Sequence, residues 1–244
     1  MSSPSYKKPP IAEAIVELRF ADGLQWSSSQ NALLEAFEKT HPGPRRELKS
    51  FQLQAEWKDG AVSTSTDGQF SRWLLPNEAA TELVGLGPDV LSIHVIAPYP
   101  GWGAFRPAID RAFSQYAAVA KPGRLALATV RYVDQILLPK DADFDDYFLA
   151  LPRRLKSQPK GLEGFQVTTE AIDAEDRIRS RLTLVSGPLT GDGRRVVVYD
   201  LDVRHQFADL AAADSWPEMV ELLHARQKAM FEESITDQTR GLFQ

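Results

Sequence analysis

Ala12-Glu13-Ala14-Ile15-Val16-Glu17-Leu18-Arg19-Phe20 decides the fold class of this chain. Ala12, Ala14, Val16, Leu18 and Phe20 fall on one side of an extended strand, and Glu13, Ile15, Glu17 and Arg19 on the other. One side is therefore apolar and the other mostly charged. Strands of a doubly wound parallel sheet are covered on both faces and read as continuous apolar runs, so alternation points to an antiparallel sheet with one wet side. The pattern recurs downstream. Phe51, Leu53, Ala55 and Trp57 alternate with Gln52, Gln54 and Glu56 before the turn signal Lys58-Asp59-Gly60, and a further strand is predicted around residues 70–75. Residues 81–84 and 90–96 flank Gly85-Leu86-Gly87-Pro88-Asp89 as a hairpin, with Leu91, Ile93 and Val95 opposite Ser92 and His94.

Helical periods separate these strands. Ser27 with Gln30 reads as a capping box ahead of Leu33, Leu34 and Phe37, and His41-Pro42-Gly43-Pro44 ends that helix. Phe105, Ile109, Ala112, Phe113 and Tyr116 share a face of a second helix, with Pro107 predicted in its first turn. After Lys121-Pro122-Gly123 comes a long strand over residues 125–138, with Ala126, Ala128, Val130, Tyr132 and Ile136 on one face. A short acidic-started helix is predicted at residues 143–149, then strands near 165–172, 178–185 and 194–205. Ser215 with Glu218 forms a second capping box, and Pro217 opens a long helix to about Glu233.

Strand, helix, sheet, helix thus occurs twice. The expected fold is α+β: two similar halves, residues 1–120 and 121–244, related by internal duplication and forming one compact unit. By analogy with TATA-box-binding protein or helix-grip folds, the halves would share a continuous curved antiparallel sheet with the long helices on one face.

Composition narrows the function classes. The 244 residues are 43% hydrophobic and 25% charged, as in an ordinary globular protein. The net charge of -5 disfavours a general polyanion binder, because neutralising phosphates takes a basic surface. A shape-specific site on arginines of the sheet is the one route to nucleic acid left open. With Cys 0, disulfides, cysteine-ligated metals and thiol nucleophiles are excluded. Residues 1–10 hold no apolar leader core and no stretch reaches about 18 apolar residues, so a cytoplasmic protein without a membrane partner is expected.

Chemistry-bearing motifs are sparse. Neither a phosphate-binding glycine loop after a strand, nor G-x-S-x-G, nor H-E-x-x-H occurs, and no cofactor is implied. His41, His94, His205 and His224 lie in four different elements, and His205 alternates to the face opposite Asp200 and Asp202, so no metal site is expected. The wet face gathers Glu13, Glu17, Arg19, Arg131, Gln135, Arg179, Arg181, Thr183, Arg194, Asp200, Asp202 and Arg204. Of these, Arg131, Arg179, Arg181, Asp200, Asp202 and Arg204 are the ligand-binding candidates, since arginines hold carboxylates or phosphates bidentately. Their mixed signs fit better a cross-strand lattice at roughly 0.2 to 1 kcal/mol per pair. Arg153, Arg154, Lys156 and Lys160 read as a solvated basic loop.

Three peptides carry a resemblance: Lys8-Pro9-Pro10-Ile11 running into Glu13 to Phe20, Tyr99-Pro100-Gly101-Trp102 with Phe105, and Phe231-Glu232-Glu233-Ser234-Ile235-Thr236-Asp237 with Arg240-Gly241-Leu242-Phe243. In type and order they resemble those of a sporadically distributed prokaryotic family of about this length whose biochemical role is not established. Such a distribution implies genes on mobile elements, as in defence or toxin-antitoxin systems. The Tyr-Pro-Gly-Trp turn reads as a device delivering an aromatic ring beneath a helix. Phe231, Ile235, Leu242 and Phe243 are the interaction candidates, because a monomer must bury or expose them. The expected function is non-catalytic binding to a second copy or a neighbouring-gene protein, through a sheet edge or this segment. The alternative is a small-molecule-binding or hydrolytic enzyme with a polar cavity between sheet and long helices, using Asp134, Asp200, Asp202 or Arg131.

Overall fold

The computed structural model describes residues 6–58, 61–152, 157 and 163–244; of residues 50–58 and 61–70 it gives the backbone alone. The expected Asp59-Gly60 turn, the side-chain alternation from Phe51 to Trp57 and the basic loop from Arg153 to Lys160 lie outside the described residues.

The alternating segments form one nine-stranded antiparallel sheet in the order β2-β3-β4-β5-β1-β6-β9-β8-β7. β1 is Ile11–Phe20, β2 Arg46–Lys58, β3 Ala61–Pro76, β4 Glu82–Leu86 and β5 Val90–Ile96. β6 is Arg124–Leu138, β7 Gln166–Ile172, β8 Ile178–Leu189 and β9 Arg195–Ala212. β1 lies at the centre between β5 and β6, with Ile15 opposite both His94 and Arg131. On either side of the β1–β6 pair the order is the same: the first strand of the half, then its last, then the others outward.

The helices α1 (Trp26–Glu38), α2 (Trp102–Ala120) and α3 (Trp216–Ser234) cover the apolar face of the sheet. α2 packs on β5 and α1, and α3 packs on β6 and β9. A five-residue α4 (Asp237–Gly241) follows α3. Ala14, Val16, Leu18 and Phe20 are buried on this side, and the Phe20 ring stacks on Tyr116 of α2 at 5.4 Å. Each such large side chain contributes about 1.5–3 kcal/mol by leaving water. Among the described residues no helix is long and apolar enough to cross a membrane.

Several local expectations give way. α1 begins at Trp26 with Gln25 as its cap residue, so Ser27 sits inside the first turn and forms no capping box. Ser215 precedes α3 as expected, but its hydroxyl turns back to the Ala212 carbonyl at 2.7 Å, across a 3-10 turn, and leaves the helix uncapped. α2 starts at Trp102, directly after Gly101, which places Pro107 beyond the first turn. Its ring removes the N–H that would have bonded the Gly103 carbonyl. The helix expected at residues 143–149 is a single 3-10 turn, Phe144–Asp146, started by the Asp143 side chain.

Candidate functional site

The open face of the sheet holds the predicted ion-pair lattice. Arg131 makes a two-pronged contact with Asp200, Nε and Nη2 each 2.7 Å from a carboxylate oxygen. Glu17 accepts from Arg72 at 2.6 Å and from Arg19 at 2.8 Å, and Arg19 continues to Asp89. Arg204 stands 4.0 Å from Asp202. Burial holds the Asp202 carboxyl above the ordinary carboxylate range despite Arg204, Arg181 and Arg131 nearby. Arg179 lies opposite Arg204, and Arg181 opposite Asp202, in the β8–β9 register. All six ligand-binding candidates thus lie on one face, with Arg131 already taken up by Asp200.

The same face carries a chain that sequence spacing did not join. Glu13 Oε1 lies 2.8 Å from His94 Nδ1, and His94 Nε2 lies 3.0 Å from the Ser92 hydroxyl. Ser, His and Glu in that order resemble a nucleophile with its base and orienter. Ser92, however, is 0% exposed. A Cβ at Gly85, its partner across β4, would come within 2.1 Å of its Oγ and 3.0 Å of the Arg72 side chain. Gly85 leaves room for both Ser92 and Arg72, and the fully buried hydroxyl is out of reach of a substrate carbonyl, so the chain is a buried polar network.

The helix-covered side holds a different arrangement. A cleft of about 420 Å³ opens between β6, the start of α2, the middle of α3 and the N-terminal segment ahead of β1. Each of the three peptides singled out by resemblance contributes: Pro9, Pro10 and Ile11; Tyr99, Pro100, Gly101 and Trp102; and Phe231 with Glu232. Residues 6–8 meet the C-terminal segment at one end. Lys8 N–H donates to the Phe243 carbonyl at 3.0 Å, and Tyr6 lies edge-on to Phe243. The Tyr6 hydroxyl donates to Glu232, which also receives Arg240 at 3.0 Å.

Asp134 is on the cleft floor. Strand alternation puts it with Val130, Tyr132 and Ile136 on the apolar face of β6, where it is 2% exposed. Its Oδ1 has no hydrogen-bond partner among the described residues. Burial, with a smaller push from Asp200, raises its pKa to about 8. Asp134 is therefore a neutral carboxylic acid at pH 7, able to donate one hydrogen bond and accept others. Gln227, 5% exposed, is the second buried polar side chain lining the cleft, and no hydrogen bond occupies its amide among the described residues.

Aromatic side chains form the walls. Tyr99 and Tyr132 share a hydroxyl contact of 2.9 Å, and Tyr132 reaches His224 Nδ1 at 3.4 Å. The His224 ring stacks on Trp102 with centroids 3.8 Å apart, and burial lowers its pKa to about 4. Glu221 holds the far side, accepting from Trp102 Nε1 at 3.1 Å and Arg106 Nε at 3.0 Å. Gly101 has φ +89 and ψ 158, a backbone region essentially reserved for glycine. The Tyr-Pro-Gly-Trp turn thus delivers aromatics beneath a helix and also lines an open cleft.

The interaction candidates are mostly consumed by the chain itself. Phe231, Ile235 and Phe243 are buried, Phe231 lying edge-on to Tyr199 and facing Phe243, while Leu242 is 38% exposed. His205 faces Phe207, away from Asp200 and Asp202. Among the described residues no three His, Asp or Glu side chains gather in a metal-holding group. Sequence reading missed Tyr6, Gln227 and His224 as cleft residues. The legible signal was an acid, Asp134, at a core-facing strand position.

Comparison with models of known protein families returns no match, and neither does comparison with curated proteins.

Proposed function

We propose that this protein binds a small organic molecule in the cleft between the sheet and helices α2 and α3. The carrying observation is Asp134: a buried carboxyl, its Oδ1 without a partner among the described residues, at the floor of a 420 Å³ opening. An unsatisfied buried polar group costs about 1–3 kcal/mol, a cost that a complementary ligand removes. Aromatic walls and a few convergent polar groups are the usual make-up of a small-molecule site. The hydroxyl–base contact in the cleft, Tyr132 with His224 at 3.4 Å, joins a buried phenol whose pKa burial raises well above its ordinary value, so binding is favoured over covalent catalysis. Convergence of the three peptides supports reading them as one functional unit, and with it the family resemblance they carry.

A ligand-observed NMR screen of a chemically mixed fragment library tests this. Fragments that bind the native protein should be lost when Gln227→Trp fills the cleft. Binding unaffected by that substitution, or no binding, contradicts the reading.

A second reading, contact with another copy or a neighbouring-gene protein, is supported by β7. This edge strand is exposed along nearly its whole length, and Ile172 at its end is 47% exposed. Unpaired edges are ready templates for strand addition. Light scattering that returns a monomer at all concentrations would remove self-association through this edge. We further infer internal duplication and a saddle-like or helix-grip-like architecture from the matching strand order about β1 and β6. Failure of the halves to superpose over sheet and long helix would sink it.

A further inference from the structure

We infer that the cleft selects an organic anion: a carboxylate or phosphate ester on an apolar, planar body. The inference rests on the small-molecule reading above and adds the chemical class of the ligand.

Positive features surround the opening. The N-terminus of α2 faces it through Pro100, Gly101 and Trp102, carries no side-chain cap and has no acid in its first turn. The Gly101 carbonyl accepts from Ala104 and Phe105, and the N–H groups of Trp102 and Gly103 find no acceptor among the described residues. A nineteen-residue helix in that state presents oriented donors and about half a positive charge to an anion. Gly101 leaves open space where any other residue would place a Cβ, so backbone can approach a ligand closely. Lys7 and Lys228 also line the cleft, and neither forms an ion pair among the described residues.

The negative groups are silenced. Glu232 is committed to Tyr6 and Arg240. Asp134 is held protonated by burial, so it opposes an anion little and can donate a hydrogen bond to it or to its body. Gln227 adds a second donor and acceptor at the same depth. These two buried, unoccupied side chains are independent of the helix end, and they specify a ligand that enters the cleft instead of an ion resting at its rim. Tyr99, Tyr132 and Phe231 then flank the apolar body. A cationic amine would need Asp134 to ionise and would meet Lys7, Lys228 and the helix N-terminus.

Calorimetric titration with four probes that share a phenyl body tests the inference: phenylpropionate, phenyl phosphate, phenylpropionamide and phenylpropylamine. Both anions, or one of them, should bind at least about tenfold more tightly than the amide and the amine, a difference of about 1.4 kcal/mol. Which anion is preferred separates a carboxylate ligand from a phosphate one. Lys228→Gln should weaken the preferred anion several-fold and leave the amide unchanged. The native fold of that variant is checked by its thermal transition, and Lys7→Gln is the parallel variant should it unfold. Equal affinity for anion and amide, or tightest binding by the amine, overturns the anion inference and leaves the cleft reading standing. Absence of binding by all four, together with a blank fragment screen, overturns both.

Discussion

Replacing Asp134 with asparagine should flatten the pH dependence of stability between pH 5 and 8. In the native chain the carboxyl titrates at about 8 against an ordinary value of 3.8. Between those values the folded state holds a proton that the unfolded state has released, so stability falls as pH rises, by about 1.4 kcal/mol per unit at most. From pH 5 to pH 8, where the folded group is itself half ionised, the loss from this residue amounts to about 3.6 kcal/mol. Asparagine keeps the shape and cannot ionise, so the variant lacks that slope. Urea unfolding of both proteins at pH 5, 6, 7 and 8 reads the difference directly, other titrating groups cancelling between them. A variant whose stability falls with pH as steeply as the native chain would refute the account of Asp134 as a desolvated acid. A variant less stable at pH 8 than the native protein would do the same.

Three further outcomes follow from the site and the lattice. His224, held neutral against Trp102 with its pKa near 4, should titrate well below 6.5 in an NMR histidine titration; its contribution to stability is present above pH 6.5 and lost as pH falls through 4, and a midpoint near 6.5 would place the ring in water. Gly101→Ala should cost about 1–3 kcal/mol on φ and ψ alone, since nothing lies within 4 Å of the new methyl, and a neutral result in thermal unfolding would deny the strained turn. Glu17→Ala leaves the buried Arg72 guanidinium without its carboxylate and should cost about 3–5 kcal/mol, whereas Arg131→Ala on the half-open Arg131–Asp200 pair should cost about 1 kcal/mol; the reverse ranking in denaturant titrations contradicts the burial difference between them.

Much of the architecture was legible because it depends on local alternation. Glu13, Glu17 and Arg19 announce an open face, and Ala14, Val16 and Leu18 a covered one, whatever the strands pair with. The strand segments and three long helices follow from such patterns and from turn residues. Helix starts were less legible: Ser27 and Ser215 are good cap residues, yet α1 begins one residue before Ser27, and the Ser215 hydroxyl turns back to the Ala212 carbonyl. The site was legible only in part. Asp134 stands out as an acid between Tyr132 and Ile136 on an apolar face, and it was foreseeable as a cavity group. Gln227, His224 and Tyr6 were not, because α3 and the N-terminal segment meet β6 only through the tertiary fold. The fate of Phe231, Ile235 and Phe243 was equally hidden, since a terminal apolar run reads the same whether it packs inward on Tyr6 and Tyr199 or outward on a partner.

The most direct test of the cleft is crystallographic: crystals of the native protein soaked with the fragments that bind in solution. Density between Trp102, Asp134 and Gln227, with a ligand atom within hydrogen-bond distance of the Asp134 carboxyl, is the predicted result. Fragments ordered only elsewhere on the surface, with the cleft filled by water that satisfies Asp134, would contradict it.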